Sequence, residues 1–346
     1  MAGNTILNKA KHTHNTDEWY TAYKTVEEEV TKYASQFAGK IVLCNCDDPY
    51  ESAFTKYFLK YFNILKLKKL ICTSYKGSRI VETLDLIDEK NIRLNKKSAY
   101  VLVVENISDG YDVPLNDYNI KSLLDKEGNV KQLKGDGDFR SKECIEYLKE
   151  ADIVVTNPPF SKFTQLFSLL VKHDKKYLLI GNQNAITYKD VFPHIKNGEA
   201  WIGYRFGDMA FKVPDDTPPR ETRFWIDENG QKWRSLGNAM WLTNLDNERK
   251  HKDLKLTCSY DPDKYPKYDN YDAINVSKVS EIPMDYNGVM GVPITFLKYH
   301  NKDQFEIIGE ANHGSDNEYD LFKPIVNGKE LFKRILIKKI KFERNS

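Results

Sequence analysis

Short, almost wholly apolar runs alternate with segments of helical period through the first two-thirds of this 346-residue chain, and few folds accept that order. Lys40–Asn45 (KIVLCN), Lys69–Ser74 (KLICTS), Tyr100–Glu105 (YVLVVE), Ala151–Thr156 and Lys176–Gly181 (KYLLIG) read as strands. Between them, Glu51–Leu65 carries Phe54, Tyr57, Phe58, Tyr61, Phe62 and Leu65 at helical spacing. Ser141–Lys149 is a short helix with Ser141 as its cap, and Ser161–Lys172 places Phe163, Leu166, Phe167 and Leu170 on one side. Strands without polar alternation must be covered on both faces, so the pattern predicts an α/β fold built on a parallel sheet. In such sheets ligands bind beyond the carboxyl ends of the strands. Two segments fall there: NCDDPY (Asn45–Tyr50) and NPPF (Asn157–Phe160).

The second segment has a chemistry of its own. Each proline fixes φ near −65° and lacks an N–H, and a residue before proline is pushed out of the α region. Asn157, Pro158, Pro159 and Phe160 therefore form a rigid corner. The Asn157 side-chain oxygen and the Pro158 carbonyl can converge on one spot, which suits an –NH2 group with two protons to donate. Phe160 adds a flat face for an aromatic ring. An amino group on a flat ring is what adenine presents at N6. Two acceptors would concentrate electron density on that nitrogen and permit attack on a sulfonium methyl, while favouring the nitrogen as it becomes cationic. The competing reading is an ordinary Pro-rich turn, since Asn before Pro commonly starts one.

The bulk numbers narrow the remaining possibilities. With a net charge of +2, contact with nucleic acid would need a local basic patch rather than a whole-protein field. No apolar run reaches membrane-span length and the N-terminus has no signal-peptide core, so the expected location is the cytoplasm, without a membrane partner. Five cysteines, Cys44, Cys46, Cys72, Cys144 and Cys258, suit reduced thiols, and no second pair accompanies the C-x-C at metal spacing, so no metal is expected. From about Ala200 the texture changes: Trp201, Tyr204, Phe206, Phe211, Phe224, Trp225, Trp233 and Trp241 crowd a region rich in Arg, Asp, Gly and Pro. This crowd reads as core before it reads as a DNA-stacking surface. Pro214–Arg220 and Asp261–Asp272 are loops by composition. The tail from Ile325 to Phe342, with Asn327-Gly328 between apolar stretches, reads as a hairpin carrying basic side chains.

Taken with DEWYT (Asp17–Thr21), VLCNCDDPYESAF (Val42–Phe54), GDFRS (Gly137–Ser141), DIVVTNPPFSKF (Asp152–Phe163) and GVMGVPITFLKYHNKDQFEIIG (Gly288–Gly309), the sequence resembles the EcoRI-type adenine methylase family of S-adenosylmethionine-dependent N6-adenine DNA methyltransferases. The resemblance implies a Rossmann-like class I methyltransferase fold with a mostly parallel seven-stranded sheet. It implies a catalytic domain over residues 1–250, with an aromatic-rich insertion at about 206–235, and a target-recognition region over 251–346. Asn157, Pro158, Pro159 and Phe160 would hold and stack the target adenine. Asp138 would accept from the cofactor's adenine amine with Phe139 packing on its ring. Tyr20 and Thr21 would meet the methionine end, and one of Asn45, Asp47 and Asp48 the cofactor's amino group.

Two departures stand out. No glycine follows the first strand, and the second strand ends in Thr73, Ser74 and Tyr75 where an acidic ribose partner is usual. Local readings stand beside several of these roles: Asp138 as turn chemistry, Asp17 as a helix cap, Lys162 as a phosphate contact or a solvated lysine. The implied function is site-specific methylation of a flipped adenine in double-stranded DNA, as a restriction-modification or phage-type enzyme, with a cognate endonuclease as a possible companion. An RNA-adenine or protein-glutamine methyltransferase using the same corner, and a catalytically silent DNA-binding module, are the alternatives.

Overall fold

The computed structural model describes residues 19–50, 52–76, 98–107, 120, 122–124, 128–311 and 323–340. Asp17 therefore lies outside the described residues. These separate into two compact units, one drawn from residues 1–183 and 204–245, the other from 184–203 and 246–346.

The first unit is organised by one sheet. Its strands are β1 (Tyr20–Thr21), β2 (Ile41–Cys44), β3 (Lys69–Thr73), β4 (Tyr100–Val104), β5 (Val130–Gln132), β6 (Ile153–Thr156), β7 (Lys176–Asn182), β8 (Trp201–Lys212), β9 (Phe224–Ile226) and β10 (Lys232–Thr243). Between them run α1 (Tyr23–Val30), α2 (Ala53–Lys60), α3 (Lys142–Glu150) and α4 (Phe163–Lys172). The spatial order is β1-β8-β10-β7-β6-β2-β3-β4-β5, with β9 on β10. The pairs β2/β3, β2/β6 and β6/β7 are parallel. The α/β class and parallel centre agree with expectation. The sheet is wider and more mixed than seven parallel strands, because β4, β5, β10, β9 and β1 pair antiparallel on the flanks.

The chain leaves β2 for β3 on one side, then returns to lay β6 on the other. This reversal opens a crevice at the carboxyl ends of β2 and β6. The burial pattern explains why these strands lie in the middle: Val42, Leu43, Cys44, Val154, Val155, Leu178 and Leu179 are all fully buried. Each of the valines and leucines contributes roughly 1.5–3 kcal/mol relative to exposure. Asp152 locks the starting ends together, exchanging two bonds with Ile41: its N–H donates to the Ile41 carbonyl at 2.9 Å and its Oδ2 accepts from the Ile41 N–H at 2.8 Å.

Helix α2 starts where the Ser52 hydroxyl accepts from the Phe54 N–H at 3.1 Å, and α3 where Ser141 accepts from Cys144 N–H at 3.2 Å. Such caps are worth about 1 kcal/mol each. The helical spacing predicted over Glu51–Leu65 is realised only to Lys60. Turns follow, ending at Lys66 in the left-handed region (φ 53°), yet Phe62 and Leu65 remain buried. Glu29 of α1, fully buried, accepts the Tyr204 and Arg205 N–H groups of β8 at 2.7 Å each and so ties helix to strand.

In the second unit, β11 (Ile274–Asn275), β12 (Met290–Pro293), β13 (Phe305–Ala311) and β16 (Arg334–Lys339) form a sheet in the order β11-β12-β16-β13, with α5 (Phe192–Lys196) also in this unit. The tail hairpin is smaller than expected. It consists of β14 (Ile325–Val326) and β15 (Lys329–Glu330), turning at Asn327 (φ 51°) and Gly328 (φ 71°), whose N–H groups donate to the Asp269 carboxylate at 3.1 and 2.7 Å. The basic strand is not a hairpin arm. Ile335, Leu336 and Ile337 are fully buried, and an apolar run of that kind takes the central position between β12 and β13.

Candidate active site

Residues at the amino end of β1 and at the carboxyl ends of β2, β3 and β6 converge through a chain of hydrogen bonds. Asp47, just past β2, is buried. Its Oδ1 accepts from the Ser52 hydroxyl at 2.7 Å and its Oδ2 from the Thr156 hydroxyl at 2.6 Å. The Asn157 backbone N–H also donates to this carboxylate, and Asp47 N–H donates to the Thr73 carbonyl at 3.1 Å. Burial pushes the Asp47 carboxyl up to about 7 despite the three donors that oppose the shift, with the nearby Asp48 adding to the rise. Asp47 thus sits beneath the Asn-Pro-Pro-Phe corner and braces it.

The corner follows β6 directly. Asn157 donates from Nδ2 to the Trp19 carbonyl at 2.6 Å, while its Oδ1 is buried and meets no donor. Because a carbonyl only accepts, this bond settles which end of the amide is which. Pro158 is buried, and Pro159 and Phe160 are half-buried. The Phe160 ring stands edge-on to Phe211 at 6.3 Å and 82°. Phe211 in turn lies 6.0 Å from the Trp19 ring, and the Arg234 guanidinium covers the same indole at 5.4 Å.

Tyr20 and Thr21 form β1 against Lys212 and Phe211 of β8, and the buried Thr21 hydroxyl has no partner. Asn45 is buried beside Cys46. Asp48 is buried too. Its Oδ1 accepts the Tyr50 N–H at 2.9 Å and its carbonyl accepts from Ser52 N–H and Thr55 hydroxyl, so it shapes the lead into α2. The Thr73 hydroxyl at the end of β3 is buried without a partner, whereas Ser74 exchanges bonds with Tyr100.

Asp138 lies in a loop that passes very close to β3: a Cβ on Gly137 (φ 74°) would stand 1.9 Å from the Ser74 carbonyl oxygen. Its Oδ1 accepts from Arg140 N–H and Nε at 2.9 and 2.8 Å. Its Oδ2 accepts from Arg140 Nη2 at 2.6 Å and Lys162 Nζ at 3.2 Å. The guanidinium holds this carboxyl well below the usual carboxylate range. Lys162, a third of its side chain exposed, makes this contact with Asp138 and lies over the Tyr75 ring at 5.3 Å. Phe139 is buried, with Arg140 over its ring at 5.7 Å.

Trp19, Ser52 and Thr156 lie inside the quoted blocks, and Phe211 and Arg234 in the aromatic-rich insertion, but the sequence assigned none of them a role at this corner. Trp19 acts through its backbone, Ser52 and Thr156 through hydroxyls with no distinctive spacing, and Phe211 and Arg234 come from strands far along the chain. Among the described residues no group of three or more His, Cys, Asp or Glu is placed to hold a metal ion. All five cysteines are free thiols, and no described helix is long and apolar enough to cross a membrane.

Comparison with known proteins accords with this arrangement. The family model described as "Adenine-specific methyltransferase EcoRI" matches residues 6–340. The Type II methyltransferase M.EcoRI of Escherichia coli is 44% identical, with 99% of each chain covered. Type II methyltransferase M.MgeORF184P of Mycoplasma genitalium is 36% identical over 96% of this chain and 98% of its own. Type II methyltransferase M.MpnI of Mycoplasma pneumoniae is 36% identical over 87% and 84%. No solved structure matches the chain at a significant level. With a bare amide oxygen at the end of β6, a parallel sheet that reverses there and a match over nearly its whole length, the chain belongs to the EcoRI family of adenine-specific methyltransferases.

Proposed function

We propose that this chain transfers a methyl group from S-adenosylmethionine to the N6 amine of an adenine extruded from duplex DNA, as a site-specific modification enzyme. The observation that carries the reading is the Asn157 amide: Nδ2 is taken by the Trp19 carbonyl, and Oδ1 is left as a buried acceptor without a donor. A buried oxygen in that state forfeits about 1–3 kcal/mol until a donor arrives. Adenine N6 brings two N–H groups. Asn157 Oδ1 would take one and the Pro158 carbonyl the other, drawing density onto a nitrogen whose lone pair is otherwise spread into the ring. Phe160 would replace the stacking that the base loses on leaving the helix.

S-adenosylmethionine, when bound, supplies the electrophilic sulfonium methyl. The residues present fit such a ligand, because Thr21 Oγ1 and Thr73 Oγ1 are buried oxygens at strand ends that its polar groups would satisfy. Tyr20, Thr21, Asn45, Asp48, Asp138 and Phe139 would hold it, and Asp47 would hold the corner itself. The four donors already on Asp138 fill the lone-pair sites of a carboxylate. A cofactor amine would displace one of them, and Lys162, at 3.2 Å, is the most distant.

In this reading the first unit performs the chemistry, with the arm around residues 206–235 lying beside the target base. The second unit, with the C-terminal residues from 251 onward, supplies target recognition. Local Lys and Arg contacts to phosphate would give salt-dependent affinity, since the net charge of +2 supplies little field. The Type II names of the relatives support a role alongside an endonuclease of the same target.

The test is transfer from isotopically labelled cofactor to duplex DNA, RNA and protein in parallel. Label on adenine in duplex DNA is expected. Label confined to RNA or to protein, or no transfer despite cofactor binding, overturns the reading.

A further inference from the structure

We propose that Trp19 and Arg234 are positioning residues for the catalytic amide, an inference that rests on Asn157 Oδ1 meeting the substrate amine. The two ends of an asparagine amide are nearly the same size, and rotation about χ2 exchanges them. In the exchanged state an –NH2 would face the substrate's –NH2, donor against donor, and the corner could not draw density onto the nitrogen. The Trp19 carbonyl removes that freedom. It accepts from Nδ2 at 2.6 Å and would repel an oxygen placed there.

The carbonyl is useful only if Trp19 itself is fixed. Main-chain pairing fixes one side: Tyr20 and Thr21 register with Lys212 and Phe211, and Ala22 N–H donates to the Ala210 carbonyl at 3.0 Å. The ring is fixed by Phe211 at 6.0 Å and by the Arg234 guanidinium at 5.4 Å.

Arg234 is an expensive choice for mere packing. It is 6% exposed, its Nη2 has no hydrogen-bond partner, and among the described residues no carboxylate pairs with it. A buried guanidinium in that condition destabilises the fold relative to an apolar chain of the same reach. The interaction left to compensate it is the indole face, which desolvation strengthens. The charge on β10 is thus coupled through one ring and one carbonyl to the orientation of the reacting amide.

The test compares Arg234→Met, which keeps length without charge, with Arg234→Lys, which keeps charge, and Trp19→Ala with Trp19→Phe, which keeps a ring. Single-turnover methyl transfer is measured with duplex and cofactor both saturating. Arg234→Met and Trp19→Ala should be slowed by about tenfold or more, against the 10²–10³ typical of losing a directly contacting donor. Lys and Phe should recover part of the rate. Duplex and cofactor affinities should stay within about twofold, and Arg234→Met should unfold at no lower denaturant concentration than the parent, since a buried charge is removed.

A second readout needs no activity. The Asn157 side-chain NH2 resonance in the full chain should be shifted and protected from exchange in the parent, and lose both properties in Arg234→Met. Rates within twofold of the parent, equal losses in Lys and Met, or an unchanged Asn157 resonance would overturn the proposal. So would a loss seen in duplex affinity with a shallower salt dependence, which marks Arg234 as a phosphate contact. Failure of the parent to methylate duplex DNA, with the resonance behaving as expected, would instead sink the functional reading alone.

Discussion

The Thr156 hydroxyl donates to the Asp47 carboxylate at 2.6 Å, joining the end of β6 to the loop that leaves β2. This bond crosses the point where the sheet reverses, and Asp47 accepts the Asn157 backbone N–H from the same position. The loop that leaves one strand is thereby fastened to the corner that ends the other. Burial outweighs the donors and pushes this carboxyl up to about 7.

That shift predicts a pH dependence. An unfolded aspartate titrates near about 4. With the folded value raised above it, the group's stabilisation is fully present below about pH 4 and is lost as pH rises through about 7. Stability should therefore fall across this window by at most about 1.4 kcal/mol per pH unit from this group. Asp47→Asn should flatten the slope, read from urea midpoints between about pH 4 and 8. Identical slopes in parent and variant would show that Asp47 does not titrate in this way.

Phe160 is half-buried and edge-on to Phe211, so part of the residue stays exposed to solvent. Stacking of a base on an aromatic ring is worth about 1–3 kcal/mol. Phe160→Ala should lower the population of a fluorescent adenine analogue held outside the duplex, while cofactor affinity stays within about twofold. Undiminished fluorescence on binding would remove Phe160 from the stacking role.

Gly137 holds φ at 74° with the Ser74 carbonyl in the space a Cβ would fill. Gly137→Ala should destabilise the protein by at least about 2 kcal/mol, combining backbone strain with a clash against main chain. It should also displace Asp138. Denaturant titration would measure the first effect and cofactor binding the second; a variant equal to the parent in both would contradict the close passage.

The parts of this protein that could be read in the sequence were those governed by local pattern. The fully apolar runs at β2, β3, β6 and β7 became the middle of the sheet because such strands need cover on both faces. The Asn-Pro-Pro-Phe corner was legible because two prolines leave the backbone few choices. What escaped was set by long-range pairing. The RILIKK run became a central strand of the second unit because β12 and β13 flank it, and its composition carried no sign of those partners. Likewise, nothing local marks Arg234 as the neighbour of Trp19, 215 positions earlier by subtraction of the two residue numbers. Asp47 carried the right residue type for a cofactor contact, but burial and its Ser52 and Thr156 partners turn it toward the corner.

The central claim is that the bare Asn157 oxygen acts on an adenine amine, and the most direct measurement is nucleoside mass spectrometry of duplex DNA after incubation with the protein and S-adenosylmethionine. The parent chain should generate N6-methyldeoxyadenosine. Asn157→Ala should generate almost none while binding cofactor within about threefold of the parent, in keeping with the loss of a group that acts in the transition state. Near-normal yield from Asn157→Ala, or a methylated base other than adenine from the parent, would contradict the account.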